Sequence, residues 1–259
     1  MLIAIDAGHG LTTPGKRCMK RIDPNETREW VLNARIAERV EDLLRAYDID
    51  FLRVDDPSGA QDIPLLERVR NANQSMCDLY LSIHHNAGIE GKSGGGIMVF
   101  SAPGASEQSR IVRDAIYRHT VATTGLKGNR SNPTPESNFY VLTHTQCVSV
   151  LGEFVFMDSK KDTPLILTDE YANQVAQGIV NALAEVYKWE EREMNENVLR
   201  RIIREEFEQM MSEKGVLPPA DWAKDKWEKG KNLGLTDGSR PQAYITRQET
   251  ITMLLKSRE

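Results

Sequence analysis

Cysteine is scarce: only Cys18, Cys77 and Cys147 occur in 259 residues. An odd number at such wide spacing makes neither a disulfide framework nor a CxxC metal site. Long apolar runs are also missing. No stretch approaches the roughly 18 apolar residues that a membrane-spanning helix requires. The opening Met1–Gly10 carries no basic segment and only a short apolar run. That is unlike a secretory signal peptide, so synthesis in the cytosol is expected. Positive charge is not in excess either. Thirty-three Lys+Arg against 38 Asp+Glu leave a net charge of −5, which argues against nucleic acid as a partner. No internal repeat is found. What remains is an ordinary globular composition, 40% hydrophobic and 27% charged. It excludes collagen-like, coiled-coil-only and disordered chains.

Residues 1–188 alternate strand and helix patterns. Leu2–Asp6, Ile49–Val54, Leu79–His84, Ile97–Ser101, Tyr140–Leu142 and Val148–Phe156 read as strands. Residues 27–47, 105–123 and 168–188 read as helices. Pro64–Ser75 is a further helix that opens on proline. The order predicts an α/β fold, a mostly parallel twisted sheet flanked by helices. Lys127–Asn138 carries no helical pattern and is expected to be a surface loop near the cleft. After Trp189 the character changes. Residues 190–213 are strongly charged, with apolar positions at helical spacing, and Pro218-Pro219 follows. The expected division is a domain over 1–188, a charged helical linker over 189–217 and a small all-α domain over 218–259. About 40 residues hold too small a core to stand alone. The last part is therefore expected to lean on the preceding helix or on a second copy, giving a homodimer through residues 190–259.

Several residues invite chemistry. His9 follows the first strand between Gly8 and Gly10, and ligands gather at the carboxyl ends of such strands. His84 and His85 end another strand. Neighbouring strand residues point to opposite faces, so only one of them can share a site with His9. Glu29 lies in the apolar stripe of its helix, within about 40° of Ile36, Val40, Leu43 and Tyr47 on a helical wheel. Glu26 lies about 60° away and competes with it. A carboxylate facing a core is costly unless it is paired or ligates a metal. Glu153 interrupts the apolar run Val148–Phe156 in the same costly way. Two imidazoles and one carboxylate, with a second carboxylate free for proton transfer, is the set of a catalytic zinc hydrolase. HExxH does not occur, so a helix-borne zincin is not expected.

On these residues the chain resembles the zinc-dependent N-acetylmuramoyl-L-alanine amidases of the type 3 fold. Four segments in order carry the resemblance: Ile3–Gly10, Glu29-Trp-Val-Leu-Asn33, Leu66–Asn73 with its Arg-x-x-x-Ala-Asn pattern, and Leu81-Ser-Ile-His-His-Asn-Ala87. Tyr140–Leu142 and Val150–Phe156 resemble the last two strands. The chain departs at Val148, where proline is usual, and at Gly152, where a larger or polar residue is common. The resemblance implies one Zn2+ on His9, Glu29 and His84, with Glu153 as catalytic acid and base. It implies hydrolysis of the amide between N-acetylmuramic acid and L-alanine of the stem peptide. Arg130 and Asn138 are candidate substrate contacts. A zinc carboxypeptidase on a similar sheet and a non-catalytic wall-binding protein are the competing readings.

The tail resembles, more loosely, one S-layer-homology-like unit. Trp222, Trp227, Asp237-Gly-Ser-Arg-Pro241 and Ile245-Thr-Arg-Gln-Glu249 carry this likeness. It implies wall contacts at Trp222, Trp227, Arg240 and Arg247, with peptidoglycan and a secondary wall polymer as partners. Thr246 and Glu249 equally fit a helix capping box. Similar tails occur in phage lysins. The expected setting is therefore a phage endolysin acting on the wall after release at host lysis, with a bacterial autolysin or spore-related amidase as alternative.

Overall fold

The computed structural model describes residues 1–190 and 224–232. The chain divides into two units, Met1–Arg192 and Glu193–Glu259. In the second, one helix is described, Lys224–Asn232 (α7), which contains Trp227. Trp222, Arg240, Arg247 and the charged segment 191–217 lie outside the described residues. Among the described residues no helix is long and apolar enough to cross a membrane.

The first unit is built on five strands: β1 (Leu2–Ala7), β2 (Asp50–Arg53), β3 (Leu79–Asn86), β4 (Met98–Phe100) and β5 (Val148–Phe156). They lie in the order β2-β1-β3-β5-β4. All neighbours run parallel except β4, which pairs antiparallel with β5. The helices are α1 (Glu29–Ala46), α2 (Leu65–Gln74), α3 (Glu107–Thr124), α4 (Tyr140–His144), α5 (Thr163–Ile166) and α6 (Asp169–Tyr187). The parallel α/β expectation holds for this unit.

Strand alternation sorts the core into two layers. Ile3, Ile5, Leu79, Leu81 and Ile83 face α1, α3 and α6, joining Ile36, Val40, Val112, Ile116, Val175 and Ile179. On the other face, Ala4, Tyr80 and Leu151 pack with Val69, Ala72, Val141 and Leu142 of α2 and α4. Helix ends follow local chemistry. Ser106 caps α3 by accepting from the Ser109 amide, and Gly125 closes it in the left-handed region at φ 71°. Thr168 caps α6 in the same way through Tyr171. The segment expected as a surface loop runs beside β4. There the Val99 and Ser101 amides donate to Pro133 and Pro135, covering an edge that would otherwise be unpaired.

Two sequence expectations change, and one departure from the family pattern finds its reason. Tyr140–Leu142 is helical, not a strand. A three-residue apolar run has no period to read. The Thr143 and Thr145 hydroxyls bond back to the carbonyls of Phe139 and Val141, at 3.2 and 2.6 Å, and favour the turn. The widely spaced cysteines are not all apart, because Cys77 and Cys147 lie side by side. Gly152 has a packing reason: a Cβ there would stand 2.3 Å from the Phe154 ring.

One polar cluster sits inside the second layer. Arg68 of α2 is 1% exposed, as is Asp6. Arg68 Nη1 donates to Asp6 Oδ1 at 2.6 Å and to the Ala7 carbonyl at 3.1 Å. Its Nη2 donates to the His9 carbonyl at 2.9 Å and to Asp62 at 3.0 Å, and Nε to the Ile63 carbonyl at 2.7 Å. All five guanidinium donors are thereby used. Tyr80 and Ser82 of β3 donate to the other Asp6 oxygen. Burial, the largest single influence, would raise the Asp6 pKa, but the charges of Arg68 and His84 and the hydrogen bonds from Arg68 and Ser82 together hold it below the ordinary value. Removing one partner of such a pair leaves an uncompensated buried charge. Arg68→Met is expected to cost about 3–5 kcal/mol in urea unfolding, and adding Asp6→Asn to recover part of it. A loss near zero in the single variant would show the pair to be dispensable.

Candidate functional site

The carboxyl ends of β1, β3 and β5 lie along one edge of the parallel sheet, where the βα connections begin. His9 leaves β1 in the left-handed region at φ 70°, its carbonyl held by Arg68. Gly8 precedes it with its amide on the Ile83 carbonyl at 3.0 Å. A Cβ on Gly8 would stand 2.0 Å from Cε1 of His84, so only glycine lets that imidazole lie against the backbone. Glu29 opens α1, and its amide bonds the Lys16 carbonyl at 3.0 Å. His84 and Glu153 stand opposite each other in the β3–β5 ladder. Just beyond them the ladder slips: Asn86 pairs with Phe156, and β5 carries the extra residue. Val155 takes φ 61° there, a conformation that a β-branched residue adopts only under constraint.

These elements bring His9, Glu29 and His84 together. One ligand-type atom from each lies within 4.8 Å of the others. Glu29 is 1% exposed. Its Oε1 is 3.0 Å from His84 Nδ1 and 3.4 Å from His9 Nε2. The two imidazoles meet edge to face at 4.8 Å. Burial opposes ionisation of Glu29, yet bonds from His84 and His9 pull its pKa well below the carboxylate range. The same contact raises His84 against its own burial. His9 Nε2 and Glu29 Oε2 are nevertheless buried without a hydrogen-bond partner. Unpaired donor atoms of this kind, converging from two histidines and a carboxylate, fit a divalent cation such as zinc.

Glu153 faces the same cavity, which encloses about 430 Å³. Its Oε2 is buried and unpaired. Burial pushes its pKa up to about 7; Glu29 adds to the rise, while His84 and Lys16 oppose it. Lys16 lines the cavity with its Nζ 3.8 Å from Glu29 Oε2. Ile63, Pro64, Leu65, Phe139, Tyr140 and Val141 supply an apolar wall. Arg130 and Asn138 are exposed and do not line this cavity; Arg130 instead sits 5.2 Å over the Phe156 ring.

His85 turns to the other face. It is 2% exposed, and burial pushes its pKa down to about 3. Its Nδ1 lies 2.8 Å from Asn33 Oδ1, while Asn33 Nδ2 donates to the Gly8 carbonyl at 3.1 Å. The His85 amide donates to Glu29 Oε1 at 3.3 Å. Asp158 Oδ2 accepts the amides of Gly88, Ile89 and Glu90 at 2.8–2.9 Å, fixing the turn after β3. The sequence alone assigns no role to Arg68, Asn33, His85, Lys16 or Asp158. Arg68 and Asn33 stand out there only as parts of motifs, and nothing in the local pattern marks Lys16 or Asp158.

A family model described as N-acetylmuramoyl-L-alanine amidase matches residues 3–185. The Bacillus subtilis (strain 168) protein YqiI is 31% identical over 185 residues, covering 71% of this chain and 84% of its own length. The endolysin of Bacillus phage SPP1 is 28% identical over 189 residues, covering 71% of this chain and 65% of the phage protein. Among solved structures, the N-acetylmuramoyl-L-alanine amidase from Clostridium difficile 630 superposes with a TM-score of 0.64 at 26% identity, over 72% of this chain and 96% of that one. The match spans well over half of the sequence, and the chain belongs to the N-acetylmuramoyl-L-alanine amidase family.

Proposed function

We propose that the chain is a zinc-dependent peptidoglycan amidase. It hydrolyses the amide joining the lactyl group of N-acetylmuramic acid to L-alanine of the stem peptide. The observation that carries this reading is the convergence of His9, Glu29 and His84, with buried unpaired atoms on two of them, beside a protonatable Glu153 in one cavity. Those three residues would hold the zinc, which when bound would supply Lewis-acid chemistry at the scissile carbonyl and at the attacking water. Glu153 takes the proton of that water and returns it to the leaving amine of L-alanine. A carboxyl poised near neutrality serves both transfers. His85 and Asn33 keep the Glu29 end of α1 registered on the Gly8–His9 turn. The apolar wall offers contact to the methyl groups flanking the scissile bond.

The SPP1 relative supports the finer reading of an endolysin that acts on the wall once released. LytC and the sporulation-specific amidase of Bacillus subtilis, 28% and 29% identical, support the bacterial alternative. For the second unit we propose a wall-binding role through Trp222, Trp227, Arg240 and Arg247.

Glu153→Gln is expected to slow release of L-alanine amino groups from purified Gram-positive walls by roughly 100-fold or more. Its zinc content, read by atomic absorption, stays that of the parent; unchanged turnover would remove Glu153 from the reaction. His84→Ala is expected to lose zinc and turnover together, and a full complement of metal there would exclude His84 as a ligand. The base form of Glu153 requires loss of its proton, so kcat/KM climbs with pH through its pKa. A divalent cation on His9, Glu29 and His84 would favour the ionised form, so in the zinc-loaded protein that limb lies below the value of about 7. A fragment of residues 1–188 is expected to retain amidase activity while sedimenting less with intact walls. Equal sedimentation would discard the targeting role.

A further inference from the structure

Cys77 and Cys147 take no part in the amidase chemistry, and their reactivity is independent of it. Seventy residues separate them in sequence, yet their Sγ atoms lie 2.8 Å apart. That is roughly 0.8 Å more than a disulfide bond length. The parallel ladder explains the meeting. Leu79 of β3 pairs with Val148 of β5, so the segments leading into the two strands arrive together, with Cys77 two residues before Leu79 and Cys147 one before Val148. Neighbouring strands are about 4.8 Å apart, inside the Cα range that a disulfide spans. The junction is already tied on both sides of the sulfurs. Asn73 Nδ2 at the end of α2 donates to the His144 carbonyl at 3.1 Å, and its Oδ1 accepts the Gln146 amide at 3.0 Å. Cys147 is half-buried and within reach of solvent, whereas Cys77 is buried. Cys18 differs: it is 1% exposed, and burial pushes its thiol up to about 12, which leaves it inert.

We propose that Cys77 and Cys147 are a reversible disulfide site that staples the α2–β3 connection to the α4–β5 connection. The oxidant is a small disulfide such as oxidised glutathione. One cysteine thiolate attacks it, forming a mixed disulfide and releasing one glutathione thiolate. The second cysteine sulfur then attacks the first and expels the other glutathione. The protein gives up two thiol protons and two electrons, and one oxidised glutathione leaves as two reduced molecules. The closed loop is long, and a cross-link of this length removes much unfolded-chain entropy. The residues lining the cavity at Phe139–Val141 enter α4, which lies directly upstream of Cys147.

The test compares the full chain equilibrated with oxidised glutathione and with dithiothreitol. In denaturant the reduced protein is expected to show three titratable thiols and the oxidised protein one. Peptide mapping is expected to find Cys77 joined to Cys147 in a chain lighter by two hydrogen atoms. The oxidised form is expected to melt about 10 °C higher. That rise disappears in Cys147→Ser and persists in Cys18→Ser. Three thiols after oxidation, a cross-link that uses Cys18 or a second chain, or equal melting of the two wild-type forms would each overturn the proposal. The wild-type comparison needs no variant to fold.

Discussion

The guanidinium of Arg68 is the constraint on which the rest of the site depends. A buried cation is expensive, and the cost is offset only when every donor is satisfied. Here two carboxylates and three carbonyls do so. Two of those carbonyls belong to Ala7 and His9, at the end of β1. Satisfying Arg68 therefore dictates the path of the chain out of the sheet. It keeps His9 in the left-handed region, where a residue without a local reason rarely stays. Asp6 passes the same restraint to β3 through Tyr80 and Ser82. His84 lies two residues beyond Ser82 and on the same face. The position of one imidazole relative to the other is thus set from below, by a polar network that touches neither ring.

From that geometry two carboxylates of the same intrinsic acidity acquire opposite character. Glu29 and Glu153 are both withdrawn from water, so desolvation works against ionisation in each. Glu29 receives His84, His9 and Lys16 around it and stays ionised. Glu153 has no hydrogen-bond donor on its buried oxygen and feels the Glu29 charge, so its proton is held to about 7. Environments that push two titratable groups apart in this way leave one ionised and the other able to hold a proton near neutrality. The separation needs no difference in residue type, only in what stands within hydrogen-bond reach.

Much of this is legible in the sequence where the signal is local. The strand before His9, the helix opened by Glu29 and the long β5 run appear close to their expected bounds. A carboxylate inside an apolar pattern is a sound warning at both Glu29 and Glu153: the fold brings Glu153 to the cavity and Glu29 into contact with His9 and His84, which line it. Alternation says that His84 and His85 part ways, but not which one meets His9. That choice depends on which helix layer covers each face. Tyr140–Leu142 misleads because three apolar residues fit either period. Arg68 reads as one more charge on an amphipathic helix, since its partners lie on β1 and in the loop before α2. The nearness of Cys77 and Cys147 is equally hidden. Their contact follows from strand order, which has no local trace in the chain.

The adjacent histidines show how strand geometry turns one dipeptide into two devices. His84 looks into the cavity and exchanges charge with Glu29. His85 looks into the helix layer, where burial keeps it neutral. A neutral imidazole can donate from Nδ1 to Asn33 Oδ1, which orients the amide so that its nitrogen faces the Gly8 carbonyl. The amide of the same residue holds Glu29 Oε1. A charged His85 could not be tolerated so deep in that layer without a counter-ion. The neutrality of one histidine is therefore part of what positions the other: it fixes α1 against the β1 turn, and α1 carries the carboxylate that His84 meets.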